Sequence, residues 1–483
     1  MFETVAIPVW VLWVAGLLAL VGALDRILIP SVRWYLRRRL NRAIARLNDR
    51  LQLKIQPFKL TQRRVMIDRL AHDPAVVEAA LAHAQGEDIP YPVAADMAKK
   101  YAREIVPSFS AYAYFGLAIR LARWLSTALY RVRLGQVDEK ALSAIDPGAT
   151  VVFVMNHRSN MDYVLVTYLA ATRSALSYAV GEWARVWPLK QLIRTMGAYF
   201  IRRRSRNGLY RRVLARYVQM ATEAGVTQAI FPEGGLSRDG FLKPAKLGLL
   251  NYIVSEFDLE TSRDVVFVPV GLNYDRVLED RVLLAAHQGQ PMSKWGQFTT
   301  GARFVGKHIW LRVTGRIHRF GYASVSFGRP MSLRAFAQDR TTQSHERMTA
   351  ELGRALMAEV GRVVPVLPVS LIARVLTRDD PPVQRGDIRA AVEAELEELT
   401  RLGAHTHMPR KSLDYAVETG LRMLVLRRAL TVEGTGEAAC YRLDPAQRAL
   451  LTYYANGIAH LNAPRGPTRR VPNAGQSADP GAP

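Results

Sequence analysis

His157 and Asp162 stand five positions apart in NHRSNMDY (156–163), directly after the apolar run TVVFVM. An imidazole beside a carboxylate is a pair that activates a hydroxyl: the ring takes the proton and the acid orients the ring. The spacing constrains the backbone. On one continuous helix five residues advance about 500°, leaving the side chains about 140° apart. With His157 in a turn and the helix starting near Ser159 or Asn160, both good capping residues, Asp162 falls in the first helical turn and reaches back to the ring. Alone the pair is a weak signal, since a chain with ten histidines contains this spacing by chance on the order of once.

Three further stretches carry chemistry. GAYFIRRR (197–204) ends in three arginines, Arg202 and Arg203 among them, and taken alone fits a solvated charged face equally well. FPEGGLSRDG (231–240) leaves the strand-like TQAI, and its glycines allow a tight loop whose backbone amides can point at an anion. Glu233 in that loop is expected to orient an arginine or bind a substrate hydroxyl. VPVGLNYDRV (268–277) reads as a strand ending near a proline and polar groups, by itself a structural edge. All four stretches sit at a strand end or in the following turn, and loops at one sheet edge converge on a common site. A base pair, an arginine cluster and an anion-friendly loop suit a phosphate-bearing hydroxyl attacking an acyl donor.

The elements that must position these groups follow from periodicity. TVVFVM, TQAIF, VVFVPVGL, IWLRVTGRI and YASVSF alternate with helical stretches such as 208–224. That succession predicts an α/β unit with a mixed sheet over 149–340. Residues 54–148 read as a helical N-terminal region, broken at EDIPYP. Residues 341–462 read as mostly helical, with a hairpin signal at ALTVEGTGEAACYRL. The Pro/Gly-rich stretch 463–483 is expected to be a disordered tail.

Residues 5–24 form an uncharged apolar run of membrane-spanning length. The preceding MFET lacks the basic residue of a signal peptide, and the arginines follow the run, which predicts a retained anchor with the bulk of the chain on the cytoplasmic face of the inner membrane. RILIPSVRWYLRRRLNRAIARLNDRL continues as a basic amphipathic helix suited to anionic lipid, so 1–53 forms an anchoring unit. A second apolar stretch lies at 112–134, where Arg120 and Arg123 argue against spanning; it is expected to lie at the surface or pack inside. The chain carries 66 Lys+Arg against 42 Asp+Glu, a net charge of +24 that suits phosphates and anionic membranes. No nucleic-acid recognition motif accompanies that charge. The single cysteine, Cys440, excludes an intramolecular disulfide framework. No metal-ligand cluster, phosphate-binding P-loop or dinucleotide fingerprint is present.

In series, His-x4-Asp, Phe-Ile-Arg-Arg, Pro-Glu-Gly-Gly-x-Ser-Arg and the Val-Pro-Val strand resemble the glycerolipid acyltransferases. HRSNMDYVLVTY, WPLKQLIRTMGAYFIRR and EGGLSRDGFLKPAKLGLL are most similar to the bacterial and mitochondrial glycerol-3-phosphate acyltransferase branch, and MAKKYAREI and LLTYYANGIAHL extend the likeness over about 60–462. The resemblance implies a glycerolipid-acyltransferase-type mixed sheet flanked by helices. It implies His157 as general base and Asp162 as its partner, with Arg202, Arg203, Glu233, Gly234, Ser237 and Arg238 binding glycerol 3-phosphate and Pro269 shaping the donor side. The implied reaction carries a fatty acyl group from acyl-CoA or acyl-carrier protein to the 1-hydroxyl of glycerol 3-phosphate at a phospholipid membrane, with no metal or redox cofactor. Leu236 stands where that branch usually has arginine, which keeps lysophosphatidate or dihydroxyacetone phosphate open as acceptor. A non-catalytic membrane-surface scaffold is the remaining alternative, and it has no need of the four motifs together.

Overall fold

The computed structural model describes residues 55–462 except 170–175, 182–188, 203–204, 206, 291–319, 341–342, 380 and 382, together with positions 8, 9, 13 and 16. Most of the expected membrane run at 5–24, the basic helix after it, the segment IWLRVTGRI and the tail at 463–483 lie outside the described residues. Among the described residues no helix is long and apolar enough to cross a membrane.

After a single helical turn at Pro57–Leu60, the helices α1 (Arg63–Ala71), α2 (Pro74–Gly86), α3 (Tyr91–Ile105) and α4 (Ile119–Leu129) lead into the sheet, the last continuing a π-helical turn at Tyr112–Ala118. Local chemistry sets these bounds. Asp73 caps α2 by accepting from the Ala75 amide at 3.1 Å, and Pro74 occupies the first turn, where its missing N–H costs nothing.

The main sheet runs β1 (Arg131–Val137), β7 (Tyr322–Phe327), β6 (Val265–Tyr274), β2 (Thr150–Met155), β5 (Gln228–Ile230), β3 (Ser177–Val180) and β4 (Tyr199–Phe200), with β8 (Met331–Ser332) also on β6. It begins earlier than expected: β1 comes from the region read as helical, the end of the 112–134 stretch. Strands β2 to β6 are mutually parallel, and β6 meets β7 and β8 antiparallel. The C-terminal ends of β2, β3, β4, β5 and β6 therefore share one edge, the edge at which open α/β sheets hold ligands. Both faces of β2 and β6 are covered, which explains their unbroken apolar sequences.

Pro269 sits inside β6, opposite Val154 of β2, although proline cannot donate to a ladder. On the other side of β6 the β7 register covers 270–274 and the β8 register 266–267, so Pro269 falls in the gap between them. Its carbonyl still accepts from the Gly328 amide at 2.7 Å. The edge expected there is an internal break in strand pairing.

Helix α5 (Met161–Leu169) follows β2, α6 (Gly208–Glu223) leads to β5, α7 (Gly248–Val254) follows it, and α8 (Asp280–His287) follows β6. The C-terminal region adds α9 (His345–Val363), α10 (Pro368–Leu376), α11 (Arg385–Arg401), α12 (Leu413–Leu426), the hairpin β9 (Leu430–Glu433) and β10 (Cys440–Leu443), and α13 (Arg448–Asn456). Leu70, Val76 and Ile105 of the N-terminal helices share one core with Val213 and Tyr217 of α6, Val152 of β2, Phe267 of β6 and Leu356 of α9. The helical regions on either side of the sheet are thus parts of its packing, within one unit from Ile55 onward.

Candidate active site

Strand β2 ends at Met155, and the chain turns through Asn156–Asn160 before α5 begins. The turn is held by side chains from within it. Ser159 Oγ accepts from the Met161 amide at 3.1 Å, as expected of a residue at a helix start. Asp162, in the first turn of α5, then reaches back. Its Oδ2 accepts from His157 Nδ1 at 2.9 Å and from the backbone amides of Arg158 at 2.7 Å and Ser159 at 3.0 Å. Its Oδ1 accepts from the Tyr274 hydroxyl at 2.6 Å. A carboxylate can only accept, so Nδ1 carries the imidazole proton and Nε2 keeps its lone pair. No described residue hydrogen-bonds Nε2.

The ring is 1% exposed and lies between Phe231, with centroids 4.2 Å apart, and Tyr163, edge-on at 5.4 Å. That slot fixes the imidazole plane, so the free nitrogen is aimed before any substrate arrives. Burial, followed by the Asp162 charge, pushes the Tyr274 phenol well above its usual range and keeps it a donor.

Glu233 binds backbone in this structure. Its Oε1 accepts from the His157 amide at 2.8 Å and its Oε2 from the Lys243 amide at 3.3 Å. It pins the loop after β5 to the loop after β2 through backbone, and both carboxylate oxygens are used. Burial pushes its pKa up to about 7, against the lowering effect of the Arg158 charge and the two amides. Ser237 completes the pin: its amide donates to the His157 carbonyl at 3.0 Å, while its hydroxyl serves Phe241 and Asp239 of its own loop. Gly234 has φ +69°, a backbone conformation that selects glycine, and a Cβ there would meet only the flexible end of Lys246.

Arg202 lies apart from this centre. It follows β4, three strands from β2, on the order of 14 Å along the sheet edge. Its guanidinium forks onto Glu104, Nε to Oε1 at 2.9 Å and Nη2 to Oε2 at 2.6 Å, and stacks near Tyr101 and Tyr210. The planar geometry that would suit a phosphate is committed to a carboxylate. Arg203 lies outside the described residues. Arg238 is exposed and, among the described residues, makes no ion pair; exposed Lys246 beside Gly234 makes none either. These two cations border the loop after β5 and are available to an anion.

Three groups that sequence reasoning passed over hold the site together. Tyr274 lies within the quoted fourth stretch but was visible there only as part of a strand. Glu279, half-buried and with its pKa raised chiefly by desolvation, accepts from Ser159 Oγ at 2.7 Å and the Asn160 amide at 3.2 Å. Arg158, beside His157, donates to the Gly240 carbonyl and, at 2.7 Å, to that of Gly457. Asn456 adds a bond to the Asp239 carbonyl at 2.8 Å. The end of α13 is thereby clasped to the loop after β5. At Gly240, φ +87°, a Cβ would lie 1.9 Å from the Tyr453 carbonyl oxygen. No cluster of His, Cys, Asp and Glu suited to a metal occurs among the described residues.

This geometry places a free imidazole nitrogen, a fixed orienting acid and exposed cations along one edge of the sheet. The sequence matches two family models, the acyltransferase model over residues 136–273 and the glycerol-3-phosphate acyltransferase C-terminal region over 310–468. Similar curated proteins are the glycerol-3-phosphate acyltransferases of Pseudomonas entomophila, 28% identical over 84% of this chain and 49% of that protein, and of Aeromonas hydrophila, 27% identical over 86% and 52%. The chain thus spans about half the length of the curated relatives it matches. A solved 1-acyl-sn-glycerophosphate acyltransferase from Thermotoga maritima aligns at 18% identity over 51% of this chain and 78% of that one, with a TM-score of 0.30. All four motifs begin within the acyltransferase match, and with the C-terminal match the chain resembles the glycerol-3-phosphate acyltransferases over most of its length.

Proposed function

We propose that this protein is a glycerol-3-phosphate 1-O-acyltransferase working at a phospholipid membrane, the cytoplasmic face of the inner membrane. The observation that carries the reading is the His157–Asp162 pair with Nε2 unoccupied, held by the conjoined motif loops. Nε2 takes the proton from the acceptor hydroxyl while the oxygen attacks the thioester carbonyl of acyl-CoA or acyl-carrier protein. A hydroxyl is a poor nucleophile at neutral pH, and a positioned base contributes about 10²–10⁴-fold. The Asp162 charge steadies the imidazolium that forms. The tetrahedral adduct collapses by breaking the C–S bond, and the imidazolium returns its proton to the leaving thiolate. An ester and a free thiol result, so the balance closes without metal or redox cofactor.

Arg238, Lys246 and Arg203 are the cations assigned to the acceptor phosphate, and the Pro269 region to the donor side. The test is transfer of labelled acyl groups by the full chain in membranes, with both donors and with glycerol 3-phosphate, dihydroxyacetone phosphate and lysophosphatidate as acceptors. Formation of 1-acylglycerol 3-phosphate that disappears in His157→Ala supports the proposal. Transfer to lysophosphatidate alone reassigns the acceptor, and no transfer by a folded protein to any acceptor overturns the reading.

A further inference from the structure

Helix α4 and the π-helical turn before it are amphipathic, with a partly exposed apolar outer face. Tyr114, Ala118, Ala122 and Ser126 are buried, and α4 lies against α5. The small residues let the two helices approach closely. On the outer side Tyr112 is 79% exposed, Leu117 57%, Leu121 42% and Trp124 43%. Leu117, Leu121 and Trp124 follow at intervals of four and three and so form one stripe. Tyr112 precedes Leu117 by one i→i+5 turn of the π-helical segment. Arg120 and Arg123, both exposed, flank the stripe and make no ion pair among the described residues.

A row of large apolar side chains in water calls for something to cover it. Two features select the cover. Tyrosine and tryptophan carry an apolar body with a polar tip, which suits the boundary between headgroups and acyl chains. The arginine flank is complementary to anionic headgroups and continues the chain's large positive excess. We propose that the outer face of α4 docks in the surface of an anionic phospholipid bilayer, lying parallel to its plane. This rests on the membrane-bound acyltransferase reading and names the surface that reading needs. Because α5 carries Asp162 in its first turn, docking would set the His157 centre about one helix diameter, roughly 10 Å, from the bilayer. A newly acylated product, itself a lipid, then forms beside the phase it enters.

The test uses the full chain carrying Cys440→Ser and one new cysteine, Leu121→Cys, labelled with an environment-sensitive fluorophore. A control places the label at Val432→Cys on the β9–β10 hairpin, where the native side chain is similarly exposed at 43%. On vesicles of phosphatidylglycerol and phosphatidylcholine, the label at 121 should shift to the blue and be quenched at least twofold by brominated acyl chains, while that at 432 should not respond. Arg120→Glu with Arg123→Glu should reduce the response at 121 severalfold. Absence of a shift at 121 in protein that floats with the vesicles overturns the proposal, as does an equal response at 432. An equal shift on purely neutral vesicles overturns its anionic component. Acyl transfer is assayed separately: a shift without transfer sinks the functional reading alone, and transfer without a shift sinks this docking face alone.

Discussion

The Tyr274 hydroxyl donates to Asp162 Oδ1 at 2.6 Å, joining the end of β6 to the first turn of α5 across 112 positions of sequence. This bond draws electron density from the carboxylate that faces the imidazole. Tyr274→Phe removes the donor and nothing else polar. Hydrogen bonds to charged groups contribute about 1.5–3 kcal/mol, so kcat should fall on the order of tenfold with acceptor KM nearly unchanged. The loss comes from positioning, since Asp162 Oδ1 then lacks the contact that helps hold the carboxylate against the ring. An unchanged kcat with a lowered thermal midpoint would mean that Tyr274 is only packing.

His157→Ala should lose about 10²–10⁴-fold in transfer while remaining folded. Asp162→Asn should fold too, since its amide oxygen can face the three N–H donors and its NH₂ can face Tyr274. It should still be severely impaired, because the charge that steadies the imidazolium is gone. Groups that act as one unit are non-additive, so the double variant should be little worse than His157→Ala. Losses that multiply would separate the two roles.

Arg202 yields a prediction opposite to the one its motif suggests. With its fork on Glu104, Arg202→Lys should lower the thermal midpoint and leave acceptor KM within about twofold. The pair is partly exposed, so its loss should cost about 1 kcal/mol or less. Arg238→Ala should instead raise acceptor KM severalfold with little change in stability. If Arg202→Lys moves acceptor KM and Arg238→Ala does not, the phosphate belongs near β4.

Glu233 links stability to pH. Its pKa in the fold, about 7, lies above the ordinary 4.5, so the protonated carboxyl is the form the fold favours. That contribution is complete below about pH 4.5 and is lost as pH rises through 7. Glu233→Gln is neutral throughout and removes the slope, although its amide can accept only one of the two backbone bonds. The stability of the native protein relative to the variant should therefore fall between pH 5 and pH 8, by on the order of 2 kcal/mol. Parallel thermal melts at the two pH values measure it; a difference that grows with pH would refute the assignment.

Much of this protein is local in origin. The β2 strand, the turn at Ser159 and the return of Asp162 to His157 follow from a continuous apolar run, a capping residue and helical geometry, all within a dozen residues. The glycines of the loop after β5 announce its sharp turns for the same reason. The hairpin β9–β10 and helix α6 also follow from short-range pattern. What a motif's residues touch is another matter, because that depends on which strands become neighbours. Arg202 and the His157 centre belong to consecutive motifs, yet β5 and β3 intervene between their strands, and a glutamate from α3 captures the guanidinium. Glu233 serves backbone amides because parallel pairing of β5 with β2 sets the two loops side by side. Tyr274, Glu279 and Arg158 acquire their roles from partners roughly 80 to 300 positions distant. Residue type and spacing determined the His157–Asp162 contact; strand order, which no local pattern encodes, decided what supports it.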